Sequence, residues 1–389
     1  MRSEAGLPPQ ERRYGLAAHD FAQLAGAKEA ILTRSRKSDG APTVASRWVW
    51  RLQTLARGAL GDEGANQALS PPGTYSDIAR ALDHSDEVHP VDEPRPSPPV
   101  DARPTGMSVT DVRKWIRDPY GIYAKHVLQL RNRDDADLEL GPRERGTALH
   151  AALESFVRAY PSGPLPDDAR TLLLRAGQAA FEAAGFDMAD RVAEMARFGR
   201  AMEFFLIWEA ERRARGISVL KPEARGDWVL DDVNFKLYGF ADRIDLRPDG
   251  TLDIIDYKTG AAPTRKASAA GFEPQAPLEA AMALNGAFED VPAAETDGLY
   301  YVKLSGGRET GSEARIDGAA RGQDPISAME FAAQYETLLR DLIALYAKPD
   351  TAYLSQPRAQ YVDDYGDYDL LARRKEWSSA ADDGSGGDT

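Results

Sequence analysis

The chain contains no cysteine in 389 residues. That excludes disulfides, iron–sulfur clusters, thiolate zinc sites and a cysteine nucleophile together. No apolar run approaches the ~20 residues of a membrane span. The start, Met1-Arg2-Ser3-Glu4-Ala5-Gly6, lacks the apolar core of a signal peptide, so a cytoplasmic protein is expected. Gly-x-x-x-x-Gly-Lys-Ser/Thr is missing, so ATP hydrolysis is not expected of this chain by itself. His-Glu-x-x-His, Gly-x-Ser-x-Gly and Gly-x-Gly-x-x-Gly are also missing. Positive charge is in short supply: 48 Lys and Arg face 62 Asp and Glu, for a net charge of −14. This argues against non-specific coating of nucleic acid. It leaves room for a local basic groove, and a carboxylate metal site would itself add negative charge. What is present is 42% hydrophobic residues, enough for a core, in a length that suits two domains or one large domain with extensions.

Residues 1–60 are polar. Ala18 to Ala30 and Arg47 to Leu60 have helical spacing, and a short strand near 29–36 runs into a turn at Asp39-Gly40. Residues 86–106, with Pro90, Pro94, Pro96, Pro98, Pro99 and Pro104, read as an extended linker. The main domain is then expected over 107–379 and a disordered acidic tail over 380–389. Ser108 is positioned to cap a helix that stops near Asp118-Pro119. Further helices are predicted over 143–160, 167–184 and 188–215. The period then shifts to that of strands over 220–230, 234–246 and 250–257, the last two joined at Arg247-Pro248-Asp249-Gly250. A helix over 277–288, a strand over 298–303 and a helix over 327–347 complete the pattern. Helices first, then a hairpin, then helix and strand, describe an α/β fold: a mixed sheet of about four strands flanked by helices, with a helical insertion before the first strand.

Chemistry concentrates in Gly239-Phe240-Ala241-Asp242-Arg243-Ile244-Asp245 and Asp253-Ile254-Ile255-Asp256-Tyr257-Lys258-Thr259-Gly260. Strand alternation puts Asp256 and Lys258 on one face, and the hairpin brings Asp242 alongside. Two hard oxygen ligands a few ångströms apart suit Mg²⁺ or Mn²⁺, and a neighbouring lysine can orient or help deprotonate the attacking water and can stabilise the developing charge on a phosphate. The bland alternative is a solvated Asp256–Lys258 pair. It fits poorly with a strand that is apolar on both faces, where buried charge needs a partner or a metal.

This segment resembles the PD-(D/E)XK nuclease superfamily. Arg145-Gly146-Thr147-Ala148-Leu149-His150, with Glu154 one turn on, resembles the helical histidine motif of its RecB-type members, which implies His150 as a metal ligand beside Asp242 and Asp256. Glu223 resembles the acidic residue of the first core strand, with a plain exposed glutamate as the alternative. Gln275 resembles the glutamine that follows the lysine strand, which implies a place in catalysis with Asp242, Asp256 and Lys258; Glu279 stands where a tyrosine is usual. The order of motifs across the chain, from Gly15-Leu16-Ala17-Ala18-His19-Asp20-Phe21 and Leu32-Thr33-Arg34-Ser35-Arg36-Lys37 to Asp364–Arg373 and Glu376-Trp377, resembles the C-terminal part of the AddB family, second subunits of bacterial helicase–nucleases. Residues 1–85 would then be the remnant of a degenerate helicase domain. Asp118 stands where a cysteine begins the cluster-binding pattern of some members, so the cluster-free branch is implied.

The resemblance implies a Mg²⁺-dependent deoxyribonuclease (Mn²⁺ an alternative cofactor, no iron–sulfur cluster). It would act as an exonuclease on a single strand in double-strand break repair and recombination, with DNA and an AddA-type helicase–nuclease subunit as partners. A catalytically inactive DNA-binding scaffold subunit is the alternative, and a stand-alone endonuclease a third. Lys114, Trp115, Arg117, Tyr120, Tyr123 and Lys125 read either as a stacking surface for a single strand or as the core face of a helix. His84 and His89 lie in the linker region and His19 and His126 show no evident partner in the sequence; all four read as structural or solvated.

Overall fold

The computed structural model describes residues 10–35, 37–38, 41–69, 74–85, 87, 91–131, 140–320, 323–358 and 366–382. The Asp39-Gly40 turn, most of the acidic tail, His89 and Asp364-Tyr365 lie outside them. Two compact units divide the chain, residues 1–89 and 90–389.

The first unit holds helices Gln10–Ala25, Arg47–Leu69 and Thr74–Asp83, and a minimal hairpin pairing Lys37–Ser38 with Ala41–Pro42. The second helix runs past its expected end and kinks at Gly61, whose φ of 71° only glycine adopts easily. Residues 29–35 carry no regular structure in place of the expected strand. Among this unit's described residues Ala65 is the one buried apolar side chain.

The second unit is a mixed α/β layer structure. Its chain order is β1 (Gly106–Ser108), α1 (Val109–Arg117), α2 (Pro142–Ala159), α3 (Ala169–Ala183), α4 (Met188–Ala214), β2 (Ser218–Leu230), β3 (Phe235–Leu246), β4 (Leu252–Lys258), α5 (Gln275–Leu284), β5 (Thr296–Leu304), β6 (Gly311–Arg315) and α6 (Ala328–Tyr346). Ser108 caps α1, its hydroxyl accepting from Asp111 N at 3.1 Å. Helix α5 starts two residues early and ends at Leu284, where Gly286 with φ 62° supplies the left-handed residue that helix ends favour.

Among the described residues the central sheet has six strands. The long β3 pairs antiparallel with β2 along one side; on its other side it meets β1 in parallel near Lys236–Tyr238 and β4 antiparallel near Arg243–Leu246. Strand β5 runs parallel to β4, and β6 closes the far edge. The two strands beyond the expected four are β1, too short to show a period, and β6, whose Gly-Ser-Glu-Ala-Arg reads as polar loop. Both sheet faces are covered. Leu252 and Ile254 pack toward α1, α5 and α6, while Ile255 and Tyr257 pack toward α2, α3 and α4. Strand β4 is therefore buried from Leu252 to Tyr257, and charges placed on it act in a medium that screens them weakly.

Candidate metal centre

Helix α2 sinks Leu149, Leu153, Phe156 and Val157 into the core. That leaves His150 and Glu154 on the adjoining face, beside Glu223 within β2, Asp242 within β3 and the end of β4. His150 is held at both nitrogens: Nε2 lies 2.9 Å from the Tyr257 carbonyl, and Nδ1 lies 3.4 Å from Asp242 Oδ1. A proton on Nε2 is donated to that carbonyl, which leaves the Nδ1 lone pair directed at the site. Burial pulls the imidazole down, but Asp242, Asp256 and Glu223 outweigh it and raise its pKa.

Asp242 accepts the Tyr257 backbone N–H through Oδ2 at 2.8 Å. Tyr257 thus fixes both neighbours with its main chain, the carbonyl holding His150 and the amide holding Asp242. On β2, Pro222 faces Arg243 and Ala224 faces Ala241, which sets Glu223 opposite Asp242. Glu223 takes the left-handed conformation, φ 47°, unusual for a residue with a side chain and typical of functional sites. Burial, then Asp242 and Glu154, push its carboxyl up to about 7. His150, Glu223 and Asp242 each offer a ligand atom, all within 4.8 Å of one another.

Asp256 sits beside this trio but is engaged elsewhere. Its Oδ1 accepts from Gln275 Nε2 at 2.6 Å and from Lys258 Nζ at 2.8 Å. Its Oδ2 contacts Lys258 at 2.6 Å without hydrogen-bond alignment. Burial and the nearby Asp242 raise its pKa to about 7. Burial disfavours the Lys258 ammonium, but Asp256, Asp242 and Glu279 outweigh it, so Lys258 stays a cation at neutral pH. Gln275, the first residue of α5, also presents Oε1 3.4 Å from Lys258. Glu279, one turn further, is 1% exposed, its Oε2 has no hydrogen-bond partner, and burial beside Asp256 and Asp242 raises its pKa well above the usual carboxylate range.

Behind the site lies a buried ion network that the sequence reading missed. Asp245 and Asp253 face each other directly across β3 and β4, a like-charge pair that would drive the strands apart. Arg212 from α4 clamps both, at 3.0 and 2.6 Å. Arg243 grips Asp245 through two hydrogen bonds and reaches Glu209 at 2.7 Å and the Tyr257 hydroxyl at 3.1 Å. All five charged side chains are 0–1% exposed. Asp245 and Arg243 stood in the quoted motif; their partners on α4 lie more than 30 residues upstream, beyond any local pattern.

The structure thus brings His150, Glu223 and Asp242 together, and gathers Asp256, Lys258 and Gln275 around a second set of contacts beside them. Trp115 and Tyr120 are buried, Lys125 pairs with Asp111 and Arg117 with Glu273, so of the two readings of that surface the core face is the one formed. His126 has a partner after all, Asp111 at 3.1 Å. Asp118 accepts the Gln356 amide at 3.1 Å, tying α1 to the C-terminal segment. The donor set of two carboxylates and an imidazole fits a hard divalent cation such as Mg²⁺ or Mn²⁺.

A family model of the PD-(D/E)XK nuclease superfamily matches residues 106–361. An uncharacterized protein of Rickettsia conorii is 26% identical over 268 residues, covering 67% of this chain and 30% of that protein. An uncharacterized protein of Rickettsia bellii is 30% identical over 187 residues, covering 48% of this chain and 22% of its own length. The chain thus spans less than a third of the curated relatives it matches. The crystal structure of SSO0001 aligns over 76% of this chain and 92% of its own at 13% identity, with a TM-score of 0.30.

Proposed function

The chain belongs to the PD-(D/E)XK nuclease superfamily, and from that premise we propose that it is a Mg²⁺-dependent deoxyribonuclease hydrolysing phosphodiester bonds. The observation that carries this reading is the convergence of His150, Glu223 and Asp242 beside the Asp256–Lys258 pair. His150, Glu223 and Asp242 would hold the cation, with Asp256 beside them. A divalent ion there supplies an activated water and a Lewis acid for the phosphate. The chain's own groups do the rest. Tyr257 locks the two ligands that flank it. Lys258, kept cationic by Asp256, donates to a phosphate oxygen as negative charge builds, acting by charge stabilisation and not as a base. Gln275 holds the Asp256 carboxylate and the Lys258 ammonium in register.

We further infer that the chain acts as the C-terminal part of an AddB-type subunit, an exonuclease on a single strand delivered by an AddA-type helicase–nuclease during double-strand break repair and recombination. The motif order supports this, as does a net charge of −14, which makes unaided capture of duplex poor because Lys and Arg neutralisation supplies most non-specific affinity. The test is cleavage of a labelled single strand with Mg²⁺, with EDTA, and by Asp256→Ala. Cleavage only by the wild type with Mg²⁺ supports the reading. Absence of cleavage under every condition would make the chain an inactive scaffold.

A further inference from the structure

Beside the metal centre lies a small cavity of about 100 Å³, opening to solvent, between α2, α3, α4 and the loops after β4 and β5. We propose that it is a nucleobase pocket, holding one base of the DNA strand whose phosphate lies at the metal centre; the proposal rests on the nuclease reading and names the part of the substrate that this chain grips.

Four features carry it. The first is position. Arg145 and Leu149 line this cavity from one face of α2, while Gly146 and His150 line the metal groove from the adjoining face. Thr259, next to Lys258, lines both, so a phosphate in the groove and its base in the cavity are separated by about one side chain. The second is the floor. Phe181 and Phe198 meet edge to face at 5.8 Å, with Leu149 and Leu304 alongside, so the cavity ends on the edges of buried apolar side chains that exclude water from a base seated there. The third is the rim. Glu194 is 7% exposed and accepts from Arg145 at 2.5 and 2.8 Å and from Arg197 at 3.2 Å. Donors and an acceptor side by side match a base edge, which presents both. A free phosphate would meet the carboxylate, and a purely apolar ligand would have no use for the ion pair. The fourth is preformation. Gly306, with φ 60°, packs so tightly on α4 that a Cβ there would sit 2.1 Å from the Arg197 carbonyl, and Arg200 hydrogen-bonds its carbonyl at 2.7 Å. The loop carrying Ser305 is therefore pinned and the wall stands without a ligand.

The experiment walks one abasic nucleotide, and separately one 2-aminopurine, along a single-stranded oligonucleotide. It uses the wild type, Ser305→Trp to close the mouth and Ala201→Met to fill the floor, with melting curves to show that each variant folds. A pocket predicts one position near the cut where loss of the base lowers single-turnover cleavage about tenfold or more. It also predicts that a variant slows intact DNA by a similar factor while leaving DNA abasic at that position unchanged. The 2-aminopurine fluorescence should change on binding at that same position, and the change should vanish in Ser305→Trp. This binding readout needs no turnover, so a chain that binds in this way but cuts nothing would refute the nuclease reading and keep the pocket. Equal cleavage at every abasic position, with no position-specific fluorescence change, would overturn the pocket and leave the nuclease reading standing.

Discussion

Lys258 owes its role to a charge balance that single substitutions can break. Its ammonium is held by Asp256 and Gln275, and in the proposed reaction it acts mainly on the transition state. Lys258→Ala should cut single-turnover cleavage on the order of 10²-fold or more, the cost of losing one preorganised donor, with DNA affinity nearly unchanged. A large loss of affinity at unchanged rate would make it a phosphate anchor instead. Glu223 offers a pH test. Its carboxyl titrates near 7 in the folded chain against an ordinary 4.5, so the native state holds a proton that the unfolded state releases. That stabilisation is complete below about 4.5 and is lost as pH rises through 7. Without divalent cations the melting temperature should fall between pH 5 and 8, and less steeply in Glu223→Gln. Equal slopes would mean that Glu223 is not titrating there. At this scale Asp242, Asp256, Lys258 and His150 stood out in the sequence because charge on an apolar strand, or histidine in a recognisable helical motif, is conspicuous. The geometry of Glu223 did not, because a left-handed backbone and its register opposite Asp242 leave no mark on residue type. Nor did Tyr257, which works through its main chain.

Between elements, the Arg212 clamp sets the alignment of β3 with β4, and that alignment brings Asp242 to the Tyr257 amide. Breaking a buried ion pair from one side costs far more than the pair's net worth. Arg212→Met leaves Asp253 with only the more distant Arg247, at 3.5 Å. The variant should lose about 3–5 kcal/mol in denaturant unfolding, and divalent-cation affinity should fall with it. A loss below about 1 kcal/mol would show that the alignment is set by backbone pairing alone. The elements themselves were readable where period and caps agreed, as in α1 with Ser108 or the β3–β4 hairpin. They were not readable where a strand borrows its stability from neighbours: β1 and β6 exist because β3 and β5 offer edges to pair with, which is tertiary information.

For the whole molecule, the proposed division of labour places the nuclease chemistry here and the motor in a partner. Given ATP and blunt duplex, the isolated chain should show no ATPase activity and only weak degradation. Adding an AddA-type subunit should make degradation of duplex ends ATP-dependent. Vigorous ATP-independent digestion of duplex by the chain alone would favour the stand-alone endonuclease. The proposed hydrolysis depends on one object, a divalent cation at His150, Glu223 and Asp242. The most direct measurement is a Mn²⁺ titration of the full chain followed by electron paramagnetic resonance, with Asp242→Ala as control. Saturable binding is expected in the wild type, competed by Mg²⁺ and abolished in Asp242→Ala. Undiminished binding in the variant, or none in the wild type at millimolar Mn²⁺, would contradict it.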